Sequence, residues 1–279
     1  MHDTSCLHLR LPPNRFWNPL IVPDPALPAI HLSEPAPGGP GPTQALVCVL
    51  TYFGLQLALS LPLYPLLGWL RRHPAVTAHG WGPDLLLWAT CLDLGIAGLI
   101  MLGVTRKLWP QAWAREGSDG LGFAAAAPRQ WLAGALVGLI VIPLLGSWLT
   151  EWLAHGQTIT EQIDALITDA GRWARIPIVL LTVTLVPVVE ETLFRGVLLS
   201  ALRQRFPRAM AVCLTSAAFA LAHLGSFDYQ WYALPALALF AWALAELRIR
   251  SGSIWPGVAA HACNNAVAII AILGSPHAG

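Results

Sequence analysis

The stretch from Ile176 to Leu202 reads IPIVLLTVTLVPVVEETLFRGVLLSAL, and its only ionisable groups are Glu190, Glu191 and Arg195. About 20 apolar residues suffice to carry a helix across the roughly 30 Å hydrocarbon core of a bilayer, so this run is long enough to span one. A barrel strand would alternate polar with apolar residues and be half as long, which makes the run a helix. Charges inside such a helix are costly. They face a protein interior or a wet cavity and are functional candidates by default.

Working outward, six more apolar segments flank this one: Gln44 to Leu70, Asp84 to Thr105, Gln130 to Leu153, Arg208 to Leu224, Trp231 to Leu247 and Ile254 to Leu273. The expected fold is therefore an all-α, polytopic transmembrane helical bundle of about seven spans. The count becomes eight if a further or re-entrant segment lies between Glu161 and Ala174. Prolines inside the segments, such as Pro62, Pro143, Pro187 and Pro235, should bend some of the helices. Trp131 and Trp148 stand about 26 Å apart on a helix, the spacing of aromatic anchors at two interfaces.

Composition agrees. The chain has 279 residues, of which 56% are hydrophobic and only 11% charged, against roughly 25% charged in soluble domains. A net charge of +1 leaves no electrostatic footprint for nucleic acid, so the partners expected are the lipid bilayer and a membrane-associated protein or peptide. Five scattered cysteines suggest neither a disulfide framework nor a paired-cysteine zinc site, and Cys263 reads as a small buried hydrophobe. Residues 1–42 hold ten of the 23 prolines and read as a flexible tail, leaving 43–279 as the transmembrane domain.

With seven spans, Arg106, Lys107, Arg115, Arg129, Arg203, Arg205, Arg208, Arg248 and Arg250 fall on one side. Only Arg71, Arg72, Arg172 and Arg175 fall on the other. The positive-inside rule then puts the amino terminus in the cytoplasm. A composition rich in Ala, Leu, Arg and Pro, with a single lysine, suggests a bacterial cytoplasmic membrane.

Three segments carry polar groups where lipid should be. Glu191 and Arg195 are four residues apart with the acid first, the favourable order for an ion pair. Glu190 lies about 100° around the helix and has no comparable local partner, which frees it for acid–base chemistry. His223 ends the run Phe219-Ala220-Leu221-Ala222-His223, and His261 and Asn265 share one face of the last segment. By helical rise, Glu190 lies roughly 20 Å from Arg203 and His223 roughly 22 Å from Arg208, so the two reach similar depths. Asp93 and Glu246 read as interhelical hydrogen-bonding residues.

In this order, Glu190-Glu191-Arg195, Phe219-His223 and His261-Asn265 resemble the CPBP family, also called Abi or type II CAAX prenyl endopeptidases, whose motifs are EExxxR, FxxxH and HxxxN or HxxxD. The similarity runs from about Ile176 to Ile272 and includes Arg250 to Pro256, before the last motif helix. It implies an intramembrane glutamate-dependent protease. Glu190 and His223 would activate water, His261 and Asn265 would stabilise the oxyanion, and Glu191 and Arg195 would support them.

The expected function is thus hydrolysis of a peptide bond in a membrane-associated or lipidated protein, from the cytoplasmic half of the bilayer. No metal is obligatory in this reading; the alternative is zinc held by Glu190, His223 and His261, although HExxH is missing. Two rivals are a non-catalytic membrane immunity or interaction protein and a transporter using the buried acids as a proton relay.

Overall fold

The computed structural model describes residues 39–70, 72–74, 82–114, 120–157 and 162–274, all within one unit spanning Leu32–Gly279. Residues 1–38, nearly the whole of the expected proline-rich tail, lie outside the described residues. All regular structure in the described chain is helical, with no strand among the described residues. Its helices are α1 (Pro42–Leu70), α2 (Gly82–Leu108), the short α3 (Pro110–Ala114), α4 (Pro128–Ala154), α5 (Gln162–Asp169), α6 (Arg175–Arg203), α7 (Arg208–Ala222), α8 (Trp231–Ser251) and α9 (Trp255–Leu273).

Each of the seven apolar segments has become a helix. Six of the helices are long and apolar enough to cross a membrane, and the seventh, α7, is shorter. The expected extra segment between Glu161 and Ala174 is α5. Its eight residues span only about 12 Å, too short to cross.

The flanks of the bundle expose large apolar side chains, while an ion pair is buried within it. Leu57, Leu61, Leu99, Leu144, Leu180 and Ile270 are each more than half exposed, whereas Glu191 and Arg195 are fully buried. Water would penalise such a surface; acyl chains do not. Trp148 is largely exposed, as an interfacial anchor would be, while half-exposed Trp131 stacks on Trp255 at 6.3 Å.

Two local irregularities position the site. The ring of Pro187 cannot share space with the carbonyl of Val183 and supplies no backbone N–H, and α6 breaks at Thr184 (φ −127, ψ −79). Beyond Glu191, the helix widens into a π turn over Thr192–Leu198, where one surplus residue is absorbed. A second π turn, Val137–Val141, interrupts α4.

Close helix approach depends on glycine at two positions. A Cβ on Gly134 would collide with the Pro256 carbonyl oxygen, and one on Gly138 with that of Ala260. This small-xxx-small face lets α4 lie against the backbone of α9 just before His261. Around the contact, Phe194, Phe219, Phe240, Ala241, Leu244 and Ala260 form the buried core.

Candidate active site

Glu190 and Glu191 point in different directions from one helix turn, as their angular separation requires. Glu191 is fully buried, and its Oε1 accepts a 2.8 Å hydrogen bond from Nη1 of Arg195. Arg195 is fully buried as well. Its Nη2 donates to the carbonyl of Ala241 at 3.1 Å, and its guanidinium lies 4.6 Å from the centroid of the Phe219 ring. That ring face supplies a further electrostatic partner for the cation.

Glu190 has no such cation. Its Oε2 is buried and makes no hydrogen bond among the described residues, but it lies 3.7 Å from Nε2 of His223 and 3.8 Å from Nε2 of His261. These separations are too long for direct hydrogen bonds and leave the oxygen facing two imidazoles across a gap.

The second nitrogen of each imidazole fixes its orientation. His223 follows the end of α7, and its Nδ1 lies 2.8 Å from the carbonyl oxygen of Phe219, one turn earlier. A carbonyl only accepts, so Nδ1 carries the hydrogen and Nε2 faces Glu190. In His261, Nδ1 lies 3.3 Å from Oε1 of Glu191. The carboxylate again makes Nδ1 the donor, and Nε2 again faces Glu190. Phe219 stacks beside His223 with centroids 4.4 Å apart, and Phe240 meets His261 edge-on at 5.3 Å, so aromatic walls restrict both rings.

A cavity of about 250 Å³ holds these groups; Glu190, His223, His261 and Asn265 all line it. Asn265 Nδ2 donates to the Thr182 carbonyl at 2.9 Å, across to the helical turn just before the break in α6. Its second N–H has no partner among the described residues. The structure thus brings together all six residues singled out from the sequence, four on the cavity and two directly behind it.

Several contributors carried no sequence signal. Glu191 touches His261 as well as Arg195, a contact between helices 70 positions apart. Thr182 supplies a carbonyl, and Gly257 supplies space: a Cβ there would stand 2.7 Å from Oε2 of Glu191. Phe240 had no motif to mark it. Cys263 does not line the cavity, and Glu246 forms ion pairs with Arg208 and Arg250, in keeping with a structural role. Among the described residues, no three His, Cys, Asp or Glu side chains are drawn together as a ready metal-ligand group.

The helical bundle thus encloses a carboxylate oxygen with no hydrogen bond among the described residues, two oriented imidazoles and an amide. Residues 172–267 match the family model for type II CAAX prenyl endopeptidase Rce1-like proteins. The resemblance read from the three motifs is thereby supported over that third of the chain. No curated protein and no solved structure matches the chain.

Proposed function

We propose that the protein is an intramembrane endopeptidase that hydrolyses a peptide bond of a membrane-associated or lipidated protein, with Glu190 as the general base. The observation that carries this reading is the position of Glu190 Oε2, buried, without a hydrogen bond and facing Nε2 of both His223 and His261. A water seated between them can donate one hydrogen to Glu190 and the other to His223. Glu190 takes the first proton as the water oxygen attacks the peptide carbonyl carbon. Negative charge then develops on the former carbonyl oxygen, which needs donors placed in advance.

Asn265 offers its unused N–H to that oxygen. His261 can donate from Nε2 only when both its nitrogens carry hydrogen, a form whose positive charge the Glu191 carboxylate balances at 3.3 Å. Arg195 in turn neutralises Glu191 and keeps it aligned. When the tetrahedral intermediate collapses, the C–N bond breaks, the departing amine takes the proton held by Glu190, and the carboxylate is restored. Each step uses groups already in place around the cavity, and none requires a metal.

The test compares membranes containing the normal chain with membranes containing Glu190→Gln, mapping protein termini by mass. The variant should insert and fold, because the buried Oε2 of Glu190 makes no hydrogen bond among the described residues, yet the new termini should disappear. Persistence of the same termini would refute the assignment, and a change in ion or solute uptake with no change in any protein's mass would favour transport. The same assay after exhaustive chelation should keep its products. Loss of products that added zinc restores would move Glu190, His223 and His261 into a metal site.

A further inference from the structure

We infer that the catalytic cavity opens on the side of the bundle opposite the arginine-rich face, so that the bond cleaved lies in the non-cytoplasmic half of the bilayer. This rests on the proteolytic reading for what is cleaved, but not for where the cavity opens.

The two faces are identified by contacts. On one, Arg208 pairs with Glu246, Arg248 Nη2 donates to the Gly120 carbonyl at 2.8 Å, and Gln204 reaches the Pro40 carbonyl at 3.4 Å. These bonds gather the carboxyl-terminal ends of α6 and α8 with the amino-terminal ends of α1 and α7. Among the described residues, this face holds Arg106, Lys107, Arg129, Arg203, Arg205, Arg208, Arg248 and Arg250. The other face is joined where Gly171 N–H donates to Asp84 at 2.7 Å, bringing the start of α2 to the loop before α6. Its described cations are Arg72, Arg172 and Arg175, set against Asp84, Glu151, Asp164, Asp169 and Asp228. Such an asymmetry places the arginine-rich face in the cytoplasm.

The cavity runs from Glu190 away from that face. Along α6 it is lined by Glu190, Val186 and Thr182, stepping toward the helix start; along α9 it continues from His261 toward Ile272. At its far end stand Ile163 and Ile167 of α5 and Phe227 of the α7–α8 loop, all on the opposite side. No residue from the arginine-rich ends lines it. That side is sealed by the chain from Gly120 to Ala127. Ile254 N–H donates to the Gly122 carbonyl at 2.7 Å and Ser253 Oγ to that of Ala124 at 2.6 Å, with Leu121 fully buried. The beginning of α9 is thus sunk into the bundle, which brings His261 level with Glu190. Counting from Arg203, Glu190 is about 20 Å along a path of about 30 Å, beyond the midplane. The expectation of cleavage from the cytoplasmic half is revised accordingly.

A second cavity, of about 420 Å³, shares Phe227, Leu237, Phe240, Asn264 and Ala268 with the first and extends along the same half of α4 as far as Glu151. Asn264 stands at the junction and makes no hydrogen bond among the described residues. Its amide can both donate and accept, as a peptide backbone requires. The occupant this geometry fits is a membrane-anchored polypeptide whose outer-leaflet segment lies across the junction.

The test uses the full chain with its five cysteines replaced by alanine and one reporter at a time, Phe227→Cys at the cavity mouth or Arg205→Cys on the arginine-rich face. A charged, membrane-impermeant maleimide is applied to intact spheroplasts and to inverted vesicles. Labelling of the Phe227 reporter in spheroplasts, with the Arg205 reporter labelled only in inverted vesicles, is expected. Labelling of the Phe227 reporter from the inner side alone, or in neither preparation, overturns the inference. Because this readout needs no turnover, it stands apart from the proteolytic reading. If spheroplast labelling is as expected but Glu190→Gln leaves all termini unchanged, the protease reading fails while the cavity's side holds. Where cleavage does occur, Glu190-dependent termini mapping to the cytoplasmic ends of substrate spans would also overturn it.

Discussion

Replacing Arg195 by methionine should be among the most destabilising single changes in this protein. The guanidinium and the Glu191 carboxylate are both fully buried, so removing the cation leaves a buried carboxylate held only by His261 Nδ1 at 3.3 Å, with an Oε2 that makes no hydrogen bond among the described residues. Two magnitudes compete. If the pair acted only as a hydrogen bond between helical residues in a membrane, its loss would cost about 0.6 kcal/mol. An uncompensated buried charge costs about 3–5 kcal/mol instead, and the desolvated setting here makes that the governing term. A cost of 3 kcal/mol lowers the ratio of folded to unfolded protein more than about 100-fold. The assay is reversible unfolding of the purified protein in mixed micelles with increasing SDS, for the normal chain, Arg195→Met and the double variant Arg195→Met/Glu191→Leu. The double variant should recover most of the loss, because it removes the stranded charge along with its partner. Stability of Arg195→Met within about 1 kcal/mol of the normal chain would refute the reasoning, since only a surface-like pair is worth so little.

Two further outcomes follow from the same geometry. Gly138→Ala sets a methyl group against the Ala260 carbonyl; it should cost about 1–3 kcal/mol by overpacking, read as a lowered unfolding midpoint. Asn265→Ala removes the bond to Thr182 and the free N–H facing the cavity. On a peptide identified by terminus mapping, it should reduce kcat about 10²–10³-fold while costing little stability, and an unchanged kcat would remove Asn265 from the oxyanion site.

What the sequence made legible was whatever depends on short-range spacing. The apolar runs specified seven helices because length and hydropathy alone decide a membrane crossing. The Glu191–Arg195 pair was readable because residues four apart on a helix meet, and the same rule left Glu190 free. The bond from Glu191 to His261 and that from Asn265 to Thr182 join helices distant along the chain, and no local pattern encodes them. Rise along each helix put Glu190 and His223 at similar depth, and both line one cavity. The bonds that fasten the start of α9 to the loop from Gly120 to Ala127 again join distant parts of the chain, and no local pattern announces them. The π turns left no trace in composition, since the apolar residues that build them also suit an ordinary helix.

The wide turn at Thr192–Leu198 has a consequence for how α6 is wired. Each residue of an α-helix advances the side-chain direction by about 100°, so a segment holding one surplus residue acts as a phase shifter between the two ends of the rod. The end bearing Glu190 faces the cavity, and the end bearing Arg203 faces the positive rim, only because that offset lies between them. Excising a single residue there would restore a regular spiral and swing one end away from its neighbours, even though no catalytic group had been touched.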